Sequence, residues 1–341
     1  MRLSRRAVLT GAAASLSALA LPDAAGARPR LSGLDGEVIA VAATRISSLL
    51  TRAPGQTRFG ALSFRSGLVL TSPSTVFGGF SGLWRSPDGA RLVAVSDSGH
   101  WLTADIQREA GRLSGLVDAT LSPMLNASGR ALSRTRSYDV EALCIDDGVA
   151  YVGIERSHEI LRFDWARRGA AARGQPLRLP PEARQLPSNR SFEAIGVAPA
   201  ASPVAGAVVA IAERSGEHDA PTFGVLVGGP QPGVFSFRLT DGYEVTDLAF
   251  LPDGDMLVLE RWYRPWRGVG ARLRRVPARS LMPGAVLEGK LLLDLDLAHE
   301  IDNMEGLAIH REAGRTIVTM ISDDNYSGLQ RTILLEFELA G

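Results

Sequence analysis

Cysteine occurs once in this 341-residue chain, so no intramolecular disulfide and no cysteine-rich metal site can form. Cys144 lies in the apolar run 142–145 and reads as a buried, inert thiol. Lysine also occurs once, at Lys290; arginine supplies every other cation. Cations and anions balance at 37 each, with no basic cluster, which argues against a nucleic-acid partner. There is no H-E-x-x-H, no P-loop and no dinucleotide fingerprint. A G-x-S-x-G elbow is also missing: Gly79-Phe80-Ser81-Gly82-Leu83 comes near but lacks the last glycine. Long apolar runs are scarce. Residues 7–21 come closest, and Thr10, Gly11 and two serines break them, leaving too weak a segment for a good spanning helix.

What that segment offers instead is a leader. Ser4-Arg5-Arg6-Ala7-Val8-Leu9 matches a twin-arginine export signal, and Ala25-Gly26-Ala27 supplies an A-x-A cleavage site. Residues 1–27 are expected to be a signal peptide and 28–341 a single domain, periplasmic or secreted, with no membrane attachment after cleavage. An uncleaved anchor is the alternative reading. A monomer is expected.

A short phrase recurs five times: Phe80-Ser81-Gly82-Leu83, Val140-Glu141-Ala142-Leu143, Phe192-Glu193-Ala194-Ile195, Val245-Thr246-Asp247-Leu248 and Met304-Glu305-Gly306-Leu307. The second positions are 60, 52, 53 and 59 residues apart. Such periods fit propeller blades of four strands with long loops. A short apolar run follows each phrase, and Pro87-Asp88-Gly89, Asp147-Gly148 and Pro252-Asp253-Gly254 supply hairpin turns before three of these runs. The fold expected is an all-β propeller of five or six blades, closed by pairing of N- and C-terminal strands. The fourth strand of the last blade is expected from Glu37-Val38-Ile39-Ala40-Val41-Ala42. Residues 59–72 read as a loop hairpin or part of a further blade. Residues 166–190 and 261–272 read as surface loops.

Each apolar run ends at an acid: Asp97, Glu155, Glu213, Glu260 and Asp323. In an antiparallel hairpin the start of one strand and the end of the next share one end of the blade. The acids of all blades should therefore ring one mouth of the central channel. Clustered carboxylates repel unless protonated, paired with arginine or bridged by a cation, and hard oxygen ligands select calcium or magnesium. The densest acids flank Glu305. Asp302, Asp323, Asp324 and Asn325 are expected to hold Ca2+, with Glu155 and Glu213 as further ligands. Glu141, Glu193 and Glu305 are candidate catalytic carboxylates. His100, after Ser96-Asp97-Ser98-Gly99, is a candidate general acid or base; His158 and His218 follow their own blades' acids without a metal-like spacing. Arg156, Arg214 and Arg261 are candidate anchors for a small anionic or ester substrate. Two other readings stay open: the arginines staple each blade to the next, or the Arg- and aromatic-rich stretch around Trp262 and Trp266 binds the ligand.

Together, Gly78-Gly79-Phe80-Ser81-Gly82-Leu83, Ser96-Asp97-Ser98-Gly99, Val140-Glu141-Ala142-Leu143 with Glu155-Arg156, Phe192-Glu193-Ala194-Ile195, and Asp302-Asn303-Met304-Glu305-Gly306-Leu307 through Ser322-Asp323-Asp324-Asn325 to Gln330-Arg331-Thr332 resemble the phytase-like family, also called esterase-like activity of phytase. The resemblance covers about residues 78–339. It implies a propeller hydrolase of phosphoesters or simple esters, often exported. β-Propeller phytases bind several calcium ions in acidic channels, an analogy at the level of fold. A non-catalytic periplasmic ligand-binding propeller is the alternative.

Overall fold

A computed structural model describes residues 30–135, 138–187, 190–217, 219–264 and 268–340. The leader segment 1–27, His218 and Trp266 lie outside them. Five antiparallel sheets stand around one axis, and their innermost strands are Phe80–Arg85, Val140–Asp146, Phe192–Val197, Glu244–Phe250 and Asn303–Glu312. Each inner strand contacts the inner strands of the blades before and after it, so the ring is closed with five blades. The repeated phrase opens every inner strand, as its spacing predicts.

The buried apolar residues form five clusters, one at each interface between blades. Leu143 and Val152 of the second blade pack on Val93 and Val95 of the first. Leu257 and Leu259 of the fourth pack on Val318 and Met320 of the fifth. Burying one such side chain contributes about 1.5–3 kcal/mol. The close approach of the blades explains the small third residue of the phrase. A Cβ on Gly82 would lie 2.7 Å from the backbone nitrogen of Leu143, and one on Gly306 would lie 3.1 Å from that of Leu83. Only the fourth blade departs, with Asp247, whose carboxylate accepts the Leu307 N–H at 2.6 Å and its own neighbour Leu248 N–H at 2.8 Å.

The ends of the chain close the fifth blade. Leu62–Thr71 pairs with Thr332–Leu339, and Ala42–Ile46 adds beyond it. The expected strand 37–42 is not the closing one: Glu37–Val38 pairs instead with Arg112–Pro123, the outer strand of the first blade. The closing strand comes from the stretch left open as a hairpin or extra blade. Leu62–Thr71 has the longer buried face, including Leu62, Leu68 and Leu70, and so wins the inner place. Two expected loops carry strands. Gln175–Pro176 pairs with Glu159–Asp164 and completes the second blade. Met256–Arg264 and Gly268–Val276 stay paired out to Arg264 and Gly268, so Trp262 and Tyr263 lie in a paired strand.

The first and fifth blades are also joined by a buried ion network. Arg85 and Arg108 both donate to Glu336, at 2.9 Å and 2.6 Å, and the Glu336 side chain is fully buried.

Candidate active site

The same irregularity recurs at the start of all five inner strands. The pairing register slips by one residue at Ser81, Glu141, Glu193, Thr246 and Glu305. A bulge leaves the extra residue outside the ladder and re-aims its side chain. Here it frees the second residue of each phrase while its neighbours on both sides stay in the core. The next strand of each blade ends beside it. Phe80, Val140, Phe192, Val245 and Met304 pair with Ser96, Ile154, Ala212, Glu260 and Ser322. The residue after each partner reaches the channel: Asp97, Glu155, Glu213, Arg261 and Asp323.

In the fourth blade the slot thus belongs to Arg261, not Glu260. A shift of one residue moves a side chain to the opposite face. Glu260 is fully buried between Arg272 and Arg274, with Arg272 Nη2 at 3.0 Å and Arg274 Nε at 2.5 Å. Arg261 points to the ring, with Glu305 at 3.1 Å and Glu213 at 3.6 Å.

Seven predicted acids meet at this mouth: Asp97, Glu141, Glu155, Glu193, Glu213, Glu305 and Asp323. Asp139 joins them. Asp139 precedes the repeated phrase and so escaped the repeat-based reading. One carboxylate oxygen each of Asp139, Glu141 and Glu155 lie within 4.8 Å of one another, as do those of Glu155, Glu193 and Glu213. Burial pushes Glu141 well above the usual carboxylate range, with Asp139, Glu155 and Glu305 adding to it. Burial and then Asp139 raise Glu155 to about 7, while the Ser191 backbone hydrogen bond and then Arg156 partly oppose them. Burial raises Glu213 to about 8 against the pull of Arg261. Glu193 and Asp323 are also held well above the usual range, first by burial and then by Glu213 and Glu305 respectively. Glu305 of the fifth blade adds to the upward shift of both Glu141 and Glu155 of the second.

The expected calcium group Asp302, Asp323, Asp324 and Asn325 does not assemble. Asp323 faces the ring, but alternation turns its neighbour away. Asp324 accepts from Gly79 N at 2.9 Å, Tyr326 N at 3.0 Å and Thr332 Oγ1 at 2.8 Å, tying the fifth blade to the first. Asp302 accepts from Asn303 N and Arg331 N, both at 3.0 Å. Asn325 donates to Gln330 Oε1 at 3.2 Å. Backbone and hydroxyl donors have taken the carboxylate oxygens of Asp302 and Asp324.

The remaining predicted residues divide. Arg156 donates to Asp139 at 2.6 Å within its own blade, and Arg214 reaches Glu244 of the next blade at 3.1 Å. His100 begins the third strand of the first blade, wholly buried, where desolvation depresses it to about 4. Its Nδ1 lies 3.0 Å from Ser98 Oγ, which in turn lies 2.5 Å from the Tyr326 hydroxyl. His100 is therefore linked to the mouth through Ser98 and Tyr326 and does not face it. Ser81 is buried at the bulge of the first blade.

Fold and site together define a five-bladed propeller with a carboxylate-lined channel mouth. Residues 75–326 match the phytase-like family, described as esterase-like activity of phytase, and the chain belongs to that family. No curated protein matches the chain.

Proposed function

We propose that this protein is an exported hydrolase of phosphoesters or simple esters whose carboxylate ring holds calcium. The observation that carries this reading is the charge imbalance at the mouth. Arg156 is matched with Asp139 and Arg214 with Glu244. Arg261 is then left to Glu193, Glu213 and Glu305, with Glu141, Glu155 and Asp323 also at the mouth. Glu193 has no hydrogen-bond donor among the described residues although only 7% of it is exposed. Carboxylate oxygens that are numerous, buried and short of donors fit a hard divalent cation.

Asp139, Glu141, Glu155, Glu193 and Glu213 are the residues that would hold it. Bound there, calcium supplies a Lewis acid for a phosphoryl or carbonyl oxygen. The chain's own residues do the rest. Arg261 orients an anionic substrate at the mouth. Glu213 and Glu155, raised to about 8 and about 7, would give up their protons to hold the ion. Export rests on the twin-arginine leader and its A-x-A site, and N-terminal sequencing of the secreted chain tests it.

The deciding experiment is hydrolysis of phytate, p-nitrophenyl phosphate and a p-nitrophenyl ester by the mature chain, with calcium and with chelator. Calcium-dependent phosphate release is expected. Chelator-resistant ester cleavage overturns the calcium clamp and moves the chemistry toward Ser81 and the Ser96, Ser98 and His100 group. No turnover on any substrate overturns the hydrolase reading in favour of a ligand-binding propeller.

A further inference from the structure

We infer that Arg190 and Ser191 form a phosphoryl-binding subsite at the third blade, so that the substrate is a phosphoester and not a neutral ester. This rests on the hydrolase reading above and adds its substrate class.

The residue two places before the bulge turns to the mouth in three blades. Asp139 lies with Glu141 and Glu155, Glu244 is within hydrogen-bonding reach of Glu213, and Asn303 Nδ2 donates to Glu305 at 2.6 Å. In the third blade that place belongs to Ser191. Its N–H donates to the Glu155 carboxylate, and its carbonyl accepts the Glu213 N–H at 2.8 Å. Ser191 is thus fixed between the ring acids of the second and third blades. Its hydroxyl is fully buried and has no hydrogen-bond partner among the described residues. Leaving such a group unsatisfied is costly, and a ligand oxygen at the mouth would relieve it.

Arg190 stands directly before it. The other arginines at the mouth are each held by carboxylates: Arg156 by Asp139 at 2.6 Å, Arg214 by Glu244 at 3.1 Å, and Arg261 by Glu305 and Glu213 at 3.1 Å and 3.6 Å. The half-buried Arg190 has no ion pair among the described residues, and its guanidinium donates no hydrogen bond there. An unpaired guanidinium beside an unpaired hydroxyl offers donors only, which suits an anionic ligand. The guanidinium fork matches two oxygens of one phosphoryl group. A neutral ester carbonyl presents one uncharged oxygen and cannot use that fork.

The test measures binding of phenylphosphonate, a phosphoryl anion that is not hydrolysed, by titration calorimetry of the purified chain in calcium. Wild type is compared with Arg190→Ala, Arg190→Lys and Ser191→Ala. Arg190→Ala should weaken binding by about tenfold or more, and Ser191→Ala by about two- to tenfold. Arg190→Lys keeps the charge and should fall between wild type and Arg190→Ala. Equal affinity in wild type and Arg190→Ala overturns the proposal and leaves the hydrolase reading intact. A wild type that binds no phenylphosphonate also overturns it. A loss that comes with a lower melting temperature, and that Arg190→Lys does not recover at all, overturns it too, because the fold and not the charge was lost. Turnover of p-nitrophenyl phosphate, followed alongside, separates the two readings. Arg190-dependent binding without turnover supports the subsite and removes the hydrolase.

Discussion

Glu260 and Arg261 are adjacent in one strand and serve opposite sides of the fourth blade. Glu260 is locked between Arg272 and Arg274 in the interior, and Arg261 is turned to the channel mouth. The two residues therefore give separable phenotypes. Removing one partner of a buried ion pair costs about 3–5 kcal/mol, because the remaining charges are left uncompensated. Glu260→Gln should lower unfolding stability on that scale, read by urea denaturation, while chains that remain folded bind calcium like the wild type. Loss of calcium binding with unchanged stability would place Glu260 in the ring after all.

Asp324 gives a similar separation within one dipeptide. Its carboxylate satisfies two backbone N–H groups and one hydroxyl at the seam between the fifth and first blades. Asp324→Ala leaves those donors without their partner, at a cost of about 1–3 kcal/mol. Urea denaturation should show that loss, with calcium stoichiometry unchanged. Asp323→Asn, one residue away, should instead leave metal-free stability equal or higher, since its carboxyl no longer has to stay protonated in the folded chain.

Glu193 is the most direct probe of the metal-holding group. It is almost fully buried and lies in the group with Glu155 and Glu213. Glu193→Gln keeps the shape and removes the charge. Calcium affinity, measured by calorimetry, should fall on the order of 100-fold, the upper end of what even outer-shell partners contribute. Unchanged affinity would restrict the ion to the Asp139, Glu141 and Glu155 group.

How far the site could be read from sequence is clear from these residues. Strand polarity alone brought Glu141 to Glu155 and Glu193 to Glu213, because both ends of a hairpin share one blade end. Two things were not legible. A repeat phrase does not announce a bulge, and the bulge at the second position is what turns Glu141, Glu193 and Glu305 from the ladder into the channel. Adjacent acids such as Asp323 and Asp324, or an acid followed by arginine as at Glu260, look equivalent until register assigns each a face. Register in turn depends on pairing between strands. The closing strand was hidden for the same reason: 37–42 and 62–71 are both apolar and β-forming, and only packing against Thr332–Leu339 selects one.

The ring also sets the pH dependence of stability. Glu155 and Glu213 are raised in the folded chain to about 7 and about 8, above the usual carboxylate value of about 4.3. The folded state thus binds more protons than the unfolded state between those values, and metal-free stability falls as pH rises through that window. The contribution of these two carboxyls is complete below about 4.3 and lost once pH passes about 8. Calcium must displace the same protons, so its binding strengthens over the same range. The rise in melting temperature caused by calcium should accordingly be small at pH 5 and largest near pH 8. Glu213→Gln should flatten the metal-free pH dependence and weaken the calcium effect together. A calcium-induced shift of equal size at pH 5 and pH 8 would mean that the ion binds away from these carboxylates.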